Sequence, residues 1–133
     1  MESVLVRYIV DDVDAAVDFY TTQLDFKLEM RPAAPFAMLS RGPLRLAINA
    51  PNNMGGGGRS MPDGTKPEPG GWNRFTLQVE DLDATVVRLR ESGARFRNEV
   101  VSGMGGRQVI LEDPSGNPIE LFEPANRNPE LRS

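Results

Sequence analysis

The chain predicts an α+β fold made of two tandem βαβββ modules. Three observations carry that reading. Period-two apolar runs of strand length recur along the 133 residues. Two helical stretches each open on an aspartate able to cap them. The first half also repeats in the second: Phe75 to Ala84 lies over Val6 to Ala15, so that Phe75 and Asp81 each stand 69 positions beyond Val6 and Asp12. The closing segment repeats as well, with Ile119-Glu120-Leu121-Phe122-Glu123-Pro124 matching Leu46-Ala47-Ile48-Asn49-Ala50-Pro51. Internal duplication sets the architecture before any local reading does.

Val4 to Val10 alternates as a strand, with Val4, Val6, Tyr8 and Val10 on one face and Leu5, Arg7 and Ile9 on the other. Asp12 is the N-cap of a helix over residues 13–23, whose apolar stripe is Val13, Val17, Tyr20 and Leu24. Phe26 to Met30 is a second strand, ended by Arg31-Pro32. Phe36 to Ser40 is a third, Arg41-Gly42-Pro43 a turn, and Leu44 to Asn49 a fourth. Residues 51–71 hold four consecutive glycines and little that is apolar beyond Met54 and Met61, the composition of a linker or mobile loop. A phosphate loop at Gly55 to Ser60 is rejected: the spacing is wrong, Arg59 replaces the lysine, and Pro62 opposes the helix that must follow.

In the second module Phe75 to Val79 is a strand and Asp81 a cap. Leu82, Val86 and Leu89 form the stripe, and Gly93 is the left-handed residue after the helix. Asp25 stands at the equivalent point of the first module, a tolerable substitute. Phe96 to Val100 and Gln108 to Leu111 are strands separated by Gly103 to Gly106, and Ile119 to Pro124 closes the fold. Asp113-Pro114-Ser115-Gly116-Asn117 is the tight turn feeding that last strand. The domain reading is a single domain over 1–133: module 4–50, linker 51–71, module 72–124 and a tail at 125–133.

Composition excludes whole classes of chemistry. The chain has no cysteine, hence no disulfide, thiolate nucleophile or thiolate metal site. It has no histidine, hence no histidine triad and none of the commonest transition-metal ligand. A net charge of −4 offers no basic stripe for nucleic acid. No apolar run approaches the roughly 20 residues of a membrane span. The start Met1-Glu2-Ser3-Val4 lacks a leader's basic-then-apolar pattern. A cytoplasmic location is expected, with neither nucleic acid nor membrane as partner.

Two such modules, a strand running into Val-x-Asp-Leu-Asp-Ala, and a closing Asp-Pro-x-Gly-Asn-x-x-Glu-Leu resemble the vicinal oxygen chelate superfamily over residues 4–124. That group includes glyoxalase I, extradiol dioxygenases, fosfomycin-resistance enzymes and bleomycin-resistance binding proteins. The resemblance implies a curved sheet around a cavity, a homodimer, and, in metal-dependent members, four ligand positions. These fall seven residues before each capping aspartate and at the centre of each closing strand, at Leu5, Ala47, Arg74 and Glu120. Only Glu120 has a donor for a metal. Leucine and alanine have none, and arginine is a fixed cation that repels the ion. A catalytic divalent metal needs about three protein ligands, so neither a metal nor another cofactor is expected.

By strand parity the cavity face carries Leu5, Arg7, Ile9, Arg45, Ala47, Asn49, Arg74, Thr76, Gln78, Glu120 and Phe122. Arg74 and Glu120 read first as an internal ion pair replacing the metal. Removing one member of such a pair costs on the order of 3–5 kcal/mol, enough to account for both residues without chemistry. Alternatively the pair, with Arg45 or Arg7, binds a ligand's carboxylate, enol or amide. Gln78 adds a polar contact, and Trp72, Met38 and Phe122 supply stacking or apolar contact. Trp72 reads equally as a packing anchor where the linker rejoins the sheet, and Asn49 and Asn73 as polar rim contacts.

Two functions stay open for a small-molecule ligand. One is metal-independent binding, like the bleomycin-resistance members, serving antibiotic or metabolite sequestration. The other is a metal-free enzyme of lyase or isomerase type with Glu120 as catalytic acid or base. The cation beside Glu120 suits binding better than proton abstraction. A metal-dependent glyoxalase or dioxygenase fits the donor set least.

Overall fold

The computed structural model describes residues 3–125. Met1, Glu2 and positions 126–133 of the expected tail lie outside the described residues. The chain divides into two compact units, Met1–Gly70 with Pro114–Asn117, and Gly71–Asp113 with Pro118–Ser133. Each has its own sheet, and neither sheet closes into a barrel. Among the described residues no helix is long and apolar enough to cross a membrane.

The first unit contains β1 (Val4–Ile9), α1 (Val13–Gln23), β2 (Lys27–Ala33), β3 (Phe36–Arg41) and β4 (Leu44–Asn49). The sheet order is β1-β4-β3-β2, with β1 parallel to β4 and the other pairs antiparallel. Asp12 caps α1 by accepting from the Ala15 N–H at 3.1 Å. The helix buries Val13, Ala16, Phe19 and Tyr20. The buried stripe is thereby centred nearer Ala16 than expected, takes in Phe19, and leaves Val17 half-buried at its edge. Tyr20 meets Phe19 and Phe26 edge-to-face, with centroids 5.2 and 5.4 Å apart. Such contacts add about 0.5–1.5 kcal/mol each beyond the area they bury. Asp25 ends the helix at φ 61°, the left-handed conformation expected there.

One boundary differs. β2 continues through Arg31-Pro32 to Ala33 rather than stopping at Met30. It is an edge strand, and register shifts on both sides of Met30 relax its ladder. A proline lacking a ladder N–H is tolerated in such a place.

The second unit contains β5 (Phe75–Gln78), α2 (Leu82–Glu91), β6 (Arg95–Phe96), β7 (Val101–Ser102), β8 (Gly106–Glu112) and β9 (Pro118–Pro124). The order is β5-β9-β8-β6, with β7 also on β8. Asp81 accepts from the Ala84 N–H at 3.0 Å, and Glu123 accepts from the Leu82 N–H at 2.9 Å. Two of the free N–H groups of the first helical turn are thus satisfied. Leu82, Val86 and Leu89 are buried as expected, and Gly93 takes φ 87°.

Of the expected strand Phe96–Val100 only Phe96 lies in a strand, at the end of β6, and β7 starts beyond it at Val101. Asn98 is the cause. Its side-chain oxygen accepts the Ile110 N–H at 2.9 Å, a place a ladder carbonyl would otherwise take. Despite that break the duplication is kept in register: Val6 pairs with Leu46 and Phe75 with Ile119. Tyr8, Val10, Leu46, Ile48, Leu77, Ile119 and Leu121 are buried on the apolar faces of their strands, whereas Val4, on the same face as Tyr8, is 63% exposed at the start of β1.

Pro114–Asn117 belongs to the first unit. Asn117 is 4% exposed; its amide donates to the Ile9 carbonyl and accepts from the Gly70 N–H, both at 2.7 Å. Replacing Asn117 with alanine leaves two backbone groups without these partners. The expected loss is about 2–4 kcal/mol of stability, read from urea unfolding midpoints. A change below about 0.5 kcal/mol, the ordinary scatter of surface substitutions, would show that the bridge does not stabilise the fold.

Candidate functional site

In the second unit, the face opposite buried Leu77, Ile119 and Leu121 collects the expected polar residues. Glu120 lies in β9 between Thr76 of β5 and Ile110 of β8. Arg74, just before β5, reaches it with two nitrogens: Nε donates to Glu120 Oε1 at 2.9 Å, and Nη2 lies 2.8 Å from the same oxygen. Nη1 donates to the Trp72 carbonyl at 3.1 Å. All three guanidinium nitrogens are therefore engaged, whereas Glu120 Oε2 accepts no hydrogen bond among the described residues. The carboxylate side chain is 13% exposed and the guanidinium side chain 26%. The pair thus offers a ligand an acceptor oxygen rather than an unengaged bidentate cation. Thr76 and Gln78 are exposed on the same face, and Phe122 is half-buried.

Trp72 is held but not buried. The Arg97 guanidinium carbon lies 4.6 Å from its ring centroid. Arg97 also donates to the Gly71 carbonyl at 2.7 Å and, through Nε, to Glu112 Oε2 at 2.9 Å. Arg97 and Glu112 were not anticipated. Arg95 and Arg97 keep strand alternation in both reaching Glu112, but nothing local to them marks Trp72 as the ring beneath Arg97. Asn73 is exposed.

In the first unit the corresponding face carries Arg7, which donates through Nη1 to Asn49 Oδ1. Asn49 is buried and Arg7 exposed. Gly57 sits against both: a Cβ there would collide with the Arg7 guanidinium and come within 2.9 Å of Asn49 Oδ1. The first half of the glycine-rich segment is folded on itself. Asn52 N donates to the Gly58 carbonyl at 2.9 Å, and Arg59 donates to the carbonyls of Asn53 and Gly55 at 2.6 and 3.1 Å. Arg45 turns back on its own hairpin, donating to the carbonyls of Gly42 and Leu44 at 2.9 and 3.3 Å. Met38 is half-buried opposite Ala47, which is fully buried, and Leu5 is 51% exposed.

The residues at the four positions do not suit a metal ion. Leu5 and Ala47 present hydrocarbon, and Arg74 places its charge on the one donor, Glu120. Among the described residues no three His, Cys, Asp or Glu side chains gather to hold a metal.

A family model described as the Glyoxalase/Bleomycin resistance protein/Dioxygenase superfamily matches residues 4–121. The "Probable lactoylglutathione lyase, chloroplastic" of Arabidopsis thaliana is 31% identical over 128 residues, covering 89% of this chain. The chain spans only 34% of that relative's length. Among solved structures, TnmS3 of Streptomyces sp. CB03234, described as an antibiotic binding protein, is 25% identical with a TM-score of 0.71. The match covers 94% of this chain and 97% of TnmS3. A superfamily member from Sphaerobacter thermophilus DSM 20745 is also 25% identical, with a TM-score of 0.72 and coverage of 92% and 97%.

One carboxylate near Arg45 is electrostatically tuned. Glu29 lies below its ordinary value of 4.5, first because the Ser40 hydroxyl donates to it, then because Lys27 and Arg45 are near. A folded-state value below the unfolded one stabilises the fold above the unfolded value, and that contribution is lost as pH falls through the folded value. Ser40→Ala is therefore expected to raise the Glu29 titration midpoint toward 4.5, followed by carboxyl carbon NMR. An unmoved midpoint would remove the hydroxyl as the cause.

Proposed function

The chain belongs to the glyoxalase/bleomycin resistance protein/dioxygenase superfamily, and from that premise we propose that it is a metal-independent small-molecule binding protein, serving antibiotic or metabolite sequestration. One observation carries the reading: the sole donor among the four metal positions, Glu120, is already bonded by Arg74 through one oxygen. The other oxygen accepts a hydrogen bond from a ligand's hydroxyl, amide or ammonium group. Within the second unit Thr76 and Gln78 add polar contacts beside Glu120, and Phe122 and Trp72 apolar ones. Separately, within the first unit, Arg7, held by the neutral Asn49, is a contact for an acidic group and half-buried Met38 an apolar one. Likeness to TnmS3, named an antibiotic binding protein, supports the same reading. The lyase named in the chloroplast relative belongs to a chain about three times as long, and this chain's donor set gives it no metal centre.

Elemental analysis of protein purified without chelator tests the proposal. The expected content is far below one equivalent of zinc, nickel, iron or manganese. A stoichiometric metal lost on Glu120→Gln would overturn it. A thermal-shift screen of peptide antibiotics, aromatic metabolites and small carboxylates then follows the ligand, with stabilisation expected to fall in Glu120→Gln.

The reading includes a cytoplasmic homodimer. In its support, β1 is an edge strand whose Val4 and Leu5 are 63% and 51% exposed, surface of the kind that association covers. Sedimentation equilibrium is expected to give twice the 14.6 kDa chain mass. A monomer mass throughout the concentration range would refute the dimer.

A further inference from the structure

Trp72 is the only tryptophan in the chain, and it is 69% exposed. An exposed indole usually moves freely over its rotamers. This one does not. Arg97 lies across one ring face and bonds the Gly71 carbonyl, while Arg74 bonds the Trp72 carbonyl. Two arginines therefore hold the peptide that carries the ring. Glu112 in turn fixes Arg97 through Nε, and the Arg97 side chain is only 16% exposed. Around the ring lies an open depression lined by Gly71, Trp72, Arg95, Phe96, Arg97 and Glu112. Its charged groups are two cations and one carboxylate, with Arg95 3.9 Å from Glu112 and 64% exposed at its side chain.

We propose that this depression is a stacking site for a planar aromatic group bearing a carboxylate or similar anion. The proposal deepens the binding function above and rests on it. The indole is the platform: its shape matches a flat ring, and stacking there removes apolar surface from water, with Arg97 already against one ring face. Arg97 behind the indole and Arg95 at the rim set the preferred charge. The Arg74 bond to the Trp72 carbonyl links the platform to the same guanidinium that engages Glu120. A ligand with an aromatic acid at one end and a hydrogen-bond donor at the other fits both groups.

A single tryptophan yields a single indole N–H cross-peak in a proton–nitrogen NMR spectrum, so the platform reports on itself. Titration with 2-naphthoate is expected to move that peak upfield and saturably. Cyclohexanecarboxylate should leave it in place, and 2-naphthalenemethanol should bind about three- to tenfold more weakly for want of the anion. Ligand-observed saturation transfer is expected to lose the 2-naphthoate signal in Trp72→Leu, with a thermal melt confirming that the variant is folded. If Trp72→Leu binds 2-naphthoate as well as the parent, the stacking site is wrong and the binding function stands. If cyclohexanecarboxylate moves the peak equally, or 2-naphthoate moves nothing, the proposal is overturned. Neither result decides the metal question, which elemental analysis answers separately.

Discussion

The carboxamide of Asn117 bonds two backbone segments at once, Ile9 at the end of β1 and Gly70 at the end of the glycine-rich segment. Both an acceptor and a donor are needed, which is why an amide serves and a carboxylate would not. Ser115 accepts from the Asp11 N–H at 2.9 Å, a second tie beside it. The strands before and after this turn belong to the other unit. Within that unit β9 is placed by its ladders with β5 and β8, and the position of Glu120 follows from β9. Were the strand to slip by one residue, Glu120 would face the core.

The arginines of the candidate site are satisfied in different ways, and the differences assign their roles. Arg74 and Arg97 each meet a carboxylate and a backbone carbonyl. They order the segment at Gly71 and Trp72 more than they await a ligand. Arg45 is taken up by its own hairpin. Arg7 has a neutral amide for a partner, a bond that leaves its charge unneutralised.

The glycines at 57 and 58 serve contact rather than looseness. Gly57 lies against Arg7 and Asn49, and Gly58 is buried against the Ala50 carbonyl and the Asn52 side chain. A β-carbon has no room at either place. A composition that usually marks a flexible tether here permits close approach of backbone to a polar cluster.

What the sequence determined by itself was what local chemistry and repetition encode. Asp12 and Asp81 cap helices because carboxylates accept free N–H groups, Asp25 and Gly93 end them in the left-handed region, and the repeat places Val6 on Leu46 as Phe75 on Ile119. The pairing of Arg74 with Glu120 was legible for the same reason, since matching positions in duplicated strands share a face. Only the tertiary structure decided the rest. β2 runs through Pro32 because edge position and irregular register excuse a missing donor. Arg97 lies across Trp72, 25 positions earlier in the chain, through a contact that strand alternation does not record. Gly57 rests on Arg7, 50 positions earlier in the chain, through a contact that no local pattern records. Strand and helix periods describe a residue's neighbours in sequence; a side chain's partner across a break in those periods is set by packing alone.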